Sequence, residues 1–343
     1  MIVVEPDRYR LASQACWQKI QIYNTWEACY HSTMFVLTHQ IAGINFRTES
    51  DVLIPHLQES PFKRFRVGDV KPDVCHRIRR LDLHNLTLPR PDSKERERLS
   101  CCVGFQQRWL ENPILRSPQV RARLHACLER PDKINFEIAA RGVFIRDFAS
   151  NELDIFYDPE LKEYFAGPLV VAGFRNLLAN FLPNFSAVMI HSAGVIRNGA
   201  VALFLAPDEG GKTTVVKHSN GAPVLNDDQI ILRQENNVVI SHGTPLGPIT
   251  SGRQRTKIGG FFLLQKGSHF DLISIKPRDA LQFLWNEHLH HWLFLPKSLK
   301  IKAFEILGNV CHQAPVYRMR FPKDYVDWDA IDAAMEGKVA SKK

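Results

Sequence analysis

Apolar positions in this chain fall into short runs whose spacing changes along its length. Apolar side chains recur at helical intervals in "VRARLHACLER", residues 120–130, and in "WQKIQIYNTWEACYHSTMFVL", residues 17–37, so both predict helices. "HQIAGINFR", residues 39–47, and the segment from Val74 to Leu83 read as strands. Between them and the next apolar block, "LTLPRPDSKERERLS", residues 86–100, carries prolines and charges expected of an exposed loop or linker. From residue 134 the runs alternate. "INFEIAARGVFIRDF" and "ELDIFYD" flank a turn at Ser150 and Asn151, which predicts a β-hairpin or meander. "GPLVVAGFRNLLANFLPNF" then predicts a helix opening at Gly167 and Pro168 and ending near Pro183.

Two further strands are predicted in "SAVMIHSAGVIRNGAVALFLA", joined at Arg197, Asn198 and Gly199, where Asn-Gly supplies the positive φ values of a tight hairpin. After a short helix in "VVKHSN" and a glycine at 221, "APVLNDDQIILRQENNVVISHG" reads as a strand carrying Asp227 and Asp228, a turn at Glu235 to Asn237, and another strand. "KPRDALQFLW" has core-packing helical periodicity. "HQAPVYRMRFPKDYVDWDAIDAAM" reads as a final strand and helix, and "EGKVASKK" as a frayed tail.

This pattern places the chain in the α/β class, with mixed and largely antiparallel sheet after residue 130. Three regions follow from it: an N-terminal α+β region over 1–130, a second domain over 131–330, and a tail over 331–343. Composition agrees with a globular chain, at 45% hydrophobic and 23% charged residues in 343. No apolar run approaches the roughly 20 residues that span a bilayer, and the first residues lack the cationic and apolar segments of a signal peptide. The expectation is a cytoplasmic protein without a membrane partner. Seven scattered cysteines read as reduced thiols, not as a disulfide framework.

The net charge of +8 lies partly in "KRFRVGDVKPDVCHRIRR", residues 63–80. Such a patch attracts a phosphate-bearing or acidic partner, or is simply a solvated surface. No nucleic-acid motif accompanies it, so nucleic acid is not an expected partner.

Candidate chemistry concentrates in "APDEGGKTT", residues 206–214, at the end of the second hairpin strand. In a phosphate-binding loop, a strand ends in a turn of small residues whose N–H groups surround the phosphates, and the next helix points its positive end at them. Gly210 and Gly211 permit close approach, Lys212 reaches the outer phosphates, and the Thr213 hydroxyl faces magnesium. Against G-x-x-x-x-G-K-[ST] the match fails at its first position, occupied by Ala206, and Glu209 is an unusual neighbour for a triphosphate. The plainer alternative is a glycine turn capping an ordinary helix. Asp227 and Asp228 could likewise be solvated turn carboxylates, and His191 a hydrogen-bonded core residue.

Taken together, the strand ending in a lysine loop, the short helix and "GAPVLNDD" at 221–228 resemble the HPr kinase/phosphorylase family and its HPr kinase-like relatives, distant kin of phosphoenolpyruvate carboxykinases. That family carries G-H-x-L-x-A-D-D with the same spacing and a histidine on the preceding strand, a place taken here by His191. The resemblance covers about residues 185 to 235. It implies a phosphoenolpyruvate carboxykinase-like P-loop fold over 131–330 and an ATP-dependent, Mg²⁺-requiring kinase. The acceptor would be a hydroxyl, most plausibly serine of a protein or peptide, with 1–130 serving acceptor recognition or regulation.

The implied catalytic residues are Asp227 as general base, Lys212 and His191. Ala206, Gly210, Gly211, Lys212, Thr213 and Thr214 would hold nucleotide, and Thr213 and Asp228 the metal. Ala206 and Glu209 replace two family glycines, and the later P-G-R-N segment has no secure counterpart. Arg253 and Arg255 in "SGRQR" read as a solvated basic loop. A small-metabolite kinase and a non-catalytic nucleotide-binding protein remain alternatives, and homo-oligomerisation stays open. Zinc at "NEHLHHW", with His288, His290 and His291, is suggested by Glu287 and His291 one helical turn apart, but no cysteine pair has metal-ligand spacing and the histidines fall on different helix faces, so it is disfavoured.

Overall fold

The computed structural model describes residues 34–51, 54–58, 61–80, 87–89, 91–100, 113–130, 133–139, 142–157, 163–247, 249–288 and 295–337. Most of the helix expected over 17–37 lies outside the described residues. The described chain begins with two strands where the sequence reading has one over 39–47, and residues 35–37, expected as the end of a helix, belong to the first of them. β1 (Phe35–Ile41) and β2 (Ile44–Ser50) are antiparallel around Ala42 and Gly43, at φ 52° and 72°. Alternate residues of β2 are buried, as in a strand with one face on a core. After α1 (Pro55–Gln58) and a 3₁₀ turn at Phe62–Phe65, β3 (Val74–Arg80) joins β2 in parallel.

The segment expected as a linker contains a helix, α2 (Ser93–Ser100), whose charges occupy a polar surface helix. α3 (Pro118–Glu129) forms where predicted: Pro118 opens it and the Ser117 hydroxyl accepts from Val120 N–H. A meander follows, β4 (Ile134–Ala139), β5 (Gly142–Asp147) and β6 (Glu152–Tyr157), with β6 parallel to β3. The resulting six-stranded sheet has the order β1-β2-β3-β6-β5-β4. Residue 130 therefore falls inside this sheet's chain, and strands 134–157 pair with the N-terminal strands.

α4 (Glu163–Phe181) begins before Gly167, so Pro168 lies inside the helix instead of opening it. The hairpin β7 (Ala187–Arg197) and β8 (Ala200–Leu205) turns at Asn198 and Gly199, with φ 50° and 76°, as predicted. Then come α5 (Lys212–Lys217), β9 (Val224–Asn226), β10 (Gln229–Glu235), β11 (Val238–Gly243), β12 (Arg255–Lys266), β13 (Asp271–Ser274), α6 (Pro277–Phe283), α7 (Lys297–Gln313), β14 (Val316–Phe321) and α8 (Trp328–Met335). β12 and α7 have no counterpart in the sequence reading, and Arg255 opens β12 instead of lying in a basic loop.

The second sheet runs β11-β10-β7-β8-β12-β14-β13, with β9 on β7. β8, β12 and β14 are mutually parallel, and the remaining pairings are antiparallel. The protein is thus a mixed α/β chain with two mixed sheets. One core joins the sheets through Phe46, Phe174, Phe181, Ile190, Leu203, Ile231 and Leu307. A second lies on the other face of the second sheet, where Phe204, Phe262 and Phe321 meet Val215 of α5 and Trp328 and Ile331 of α8. Two arginines tie the sheets in polar fashion: Arg233 donates to Ala42 O, and Arg64 to Thr250 O at 2.5 Å. Among the described residues no helix is long and apolar enough to cross a membrane.

Candidate functional site

Because β8, β12 and β14 run parallel, their carboxyl ends lie side by side, where open α/β sheets hold ligands. The loop 206–211 leaves β8 at that edge. Its glycines are required by space. A Cβ on Gly210 would lie 2.5 Å from Ala206 Cβ and 2.9 Å from Pro207 O, and one on Gly211, at φ 110°, 2.7 Å from Phe321 Cζ. Ala206 is buried beneath this turn, its Cβ facing Gly210. Glu209 adopts φ 61°, the left-handed region that suits glycine, so an exposed carboxylate stands on a strained stretch of the loop backbone.

Lys212 folds back beneath the loop. Its ammonium is buried and donates to Ala206 O at 2.6 Å and Pro207 O at 3.2 Å, which engages two of its three N–H donors. Burial lowers its proton affinity, and the charges of Asp228 and Asp208 oppose that shift.

The aspartate pair does not lie on a strand as expected. Asp227 and Asp228 occupy a bend between β9 and β10, and Asn226 explains the break. Its buried Oδ1 accepts from the N–H groups of Asp228 and Gln229 at 2.8 and 2.7 Å, while Nδ2 donates to Thr244 O at 2.9 Å. These bonds replace sheet pairing with an Asx turn. Gly247, at φ 116°, closes over the bend, where a Cβ would lie 2.7 Å from Asp227 Oδ1.

The two carboxylates have different surroundings. Asp227 Oδ1 accepts from Ile249 N–H at 3.1 Å, and burial raises its proton affinity above the usual carboxylate range, with Ile249 N–H partly offsetting and Asp228 adding to the rise. Asp228 Oδ1 lies 2.9 Å from His191 Nε2. Its Oδ2 is 3.3 Å from Gln229 Nε2 and 3.5 Å from an Arg175 guanidinium nitrogen. Burial would raise its pKa, but the hydrogen bond and charge of His191, with Arg175 and Gln229, outweigh it and bring the pKa down to about 2.

His191 joins the halves of the site. On β7 it pairs across from Gln229, and its Nε2 also lies 3.6 Å from Asp208 Oδ1 of the loop. The structure thus brings Lys212, His191 and Asp228 into one electrostatic cluster beside the loop. Asp227, next to Asp228, is held separately by Ile249. Thr213 is exposed on the first turn of α5, and Thr214 is half-buried, its carbonyl accepting from His218 N–H.

Several contributors escape sequence reasoning. Arg175 comes from α4, far from the loop in sequence, and carries no local signal. Asn226 had one, since an Asn just before polar turn residues is an Asx-turn former.

Magnesium takes hard oxygen ligands, which an ionised Asp228 and the Thr213 hydroxyl are able to supply. His191, Gln229 and Arg175 compete for the same carboxylate. Among the described residues no three His, Cys, Asp or Glu side chains cluster as metal ligands. His290 and His291, the His288 side chain, Cys101 and Cys102 lie outside the described residues.

A scan against protein-family models finds no match for this chain, and no curated protein matches it. Fold and site together define a mixed α/β protein with a lysine-bearing loop at the carboxyl ends of parallel strands, facing a histidine-bound aspartate turn.

Proposed function

We propose that this chain is an ATP-dependent phosphotransferase of the HPr kinase-like kind, acting on a serine hydroxyl of a protein or peptide. The observation that carries this reading is His191 standing between Asp208 of the lysine loop and Asp228 of the aspartate turn. Phosphoryl transfer needs mainly alignment and charge stabilisation, and such a cluster supplies both.

In this reading the loop amides and Lys212 hold the nucleotide phosphates. Two Lys212 donors already fix its position through Ala206 and Pro207 carbonyls, which leaves the third for a phosphate oxygen. Asp227, with raised proton affinity, accepts the hydroxyl proton. Asp228 and Thr213 would hold Mg²⁺, which when bound neutralises charge on the phosphates. His191 keeps Asp228 ionised and aimed at the loop. The N-terminal sheet serves acceptor recognition. A non-catalytic nucleotide-binding reading draws on two observations: the Glu209 carboxylate on the loop and the prior engagement of both Asp228 oxygens.

Incubation with γ-labelled ATP and host extract separates these readings. Wild type is expected to label a macromolecule, and Asp227→Asn to cut transfer by roughly 10²–10⁴-fold with nucleotide affinity retained. Lys212→Ala should weaken nucleotide binding itself. Label confined to a small molecule would favour a metabolite kinase. Nucleotide binding without transfer would favour the non-catalytic reading, and full turnover by Asp227→Asn would remove the base assignment.

A further inference from the structure

Within the basic stretch at 63–80, two arginines of β3 differ in their surroundings from the cations of the 3₁₀ turn. On β3, Arg77 pairs with Glu152 at 2.5 Å and lies 3.6 Å from both Glu49 and Asp154, while Arg79 lies 3.8 Å from Glu49. Those cations are neutralised inside the first sheet. Lys63, Arg64 and Arg66 differ: the 3₁₀ turn buries Phe62 and Phe65 and leaves all three cationic residues exposed, with no acidic side chain in ion-pair contact among the described residues.

The position of this turn matters more than its charge. Arg64 donates to Thr250 O at 2.5 Å, and its side chain packs against Gly252, where a Cβ would lie 3.5 Å from Arg64 Cβ. Arg253 follows directly, exposed and likewise without an acidic partner among the described residues. The same segment holds the candidate base. Ile249 exchanges backbone and side-chain hydrogen bonds with Asp227, Thr250 bridges to Asn226, and Ser251 N–H donates to Leu225 O at 3.2 Å. One strip of chain, 249–253, therefore touches Asp227 at one end and the cationic turn at the other.

Resting on the phosphotransferase reading, we infer that Lys63, Arg64, Arg66 and Arg253 form the docking surface for an acidic segment of the acceptor, beside the hydroxyl to be phosphorylated. An acidic peptide bound by these residues would approach Asp227 along the 249–253 strip. Arg64 has a second task, holding that strip through Thr250, so the surface is tested without altering it.

The test measures binding in the absence of nucleotide. A fluorescein-labelled peptide with one serine flanked by glutamates is titrated with the full-length protein, alongside a lysine-flanked peptide and an oligothymidylate of equal charge. Wild type is expected to bind the acidic peptide with affinity that falls as salt rises. The combined variant Lys63→Gln, Arg66→Gln, Arg253→Gln, changed only at exposed positions, should bind it at least about tenfold more weakly. Equal binding by the variant, no binding by wild type, or equal preference for the oligothymidylate would each overturn the inference. Phosphate transfer to the serine is assayed separately, so acidic-peptide binding without transfer would count against the kinase and leave the surface standing.

Discussion

Asp228 shows how neighbours decide what a carboxylate can do. His191, Arg175 and Gln229 overcome its burial, and its pKa of about 2 lies below the value near 4 of an unfolded aspartate. A depressed carboxylate stabilises the fold fully above the unfolded value and loses that contribution as pH falls through the folded one. Asp228→Asn is therefore expected to be less stable than wild type above about pH 4, with the gap closing toward pH 2 in urea melts at successive pH values. A constant gap across that range would place the effect elsewhere. Glu209 makes the opposite case, a residue whose backbone works against it. Glu209→Gly should raise unfolding free energy by about 1 kcal/mol, because glycine adopts φ 61° without the Cβ clash. Urea denaturation checks this, and a loss of stability would mean that the glutamate makes a compensating contact.

At the scale of elements, local chemistry explains most of what was legible. Asn198-Gly199, Pro118 after Ser117, and the alternation from Ile134 to Tyr157 each specify a turn, a helix start or a strand through their own backbone preferences. The Asp227-Asp228 bend was misread as strand although Asn226, an Asx-turn former, stood before it; what the sequence does not carry is the Thr244 carbonyl beyond β11 that fixes the Asn226 side chain. α5 is too short to be stable alone, and its support is distant in sequence. Trp328 of α8 donates to His218 O at 2.6 Å, just past the end of α5, and packs edge-on to Phe204 with the Arg197 guanidinium over its ring. Trp328→Phe, which keeps a ring but removes the donor to that half-buried carbonyl, should cost about 1 kcal/mol by denaturant unfolding. No change in stability would mean that α5 does not depend on α8.

For the whole molecule, sheet membership settles what belongs together. β6 pairs with β3 over Cys75 to Arg80, so removing residues 1–130 would strip β4–β6 of the strand beside them and leave a bare edge. A fragment of residues 131–343 is expected to aggregate or to lack the single cooperative transition of the full chain, as size-exclusion chromatography and urea melts would show. A monomeric, cooperatively folding fragment would place a boundary near 130. By itself the sequence determined the class of fold, the hairpins and the position of the lysine loop, because hydrophobic period and turn chemistry act over a few neighbouring residues. Only tertiary structure decided that 134–157 complete the first sheet, that Arg175 and His191 meet on Asp228, and that Arg64 grips the strip beside Asp227. Those contacts join residues far apart in the chain, and each depends on strand order and register that no short stretch encodes.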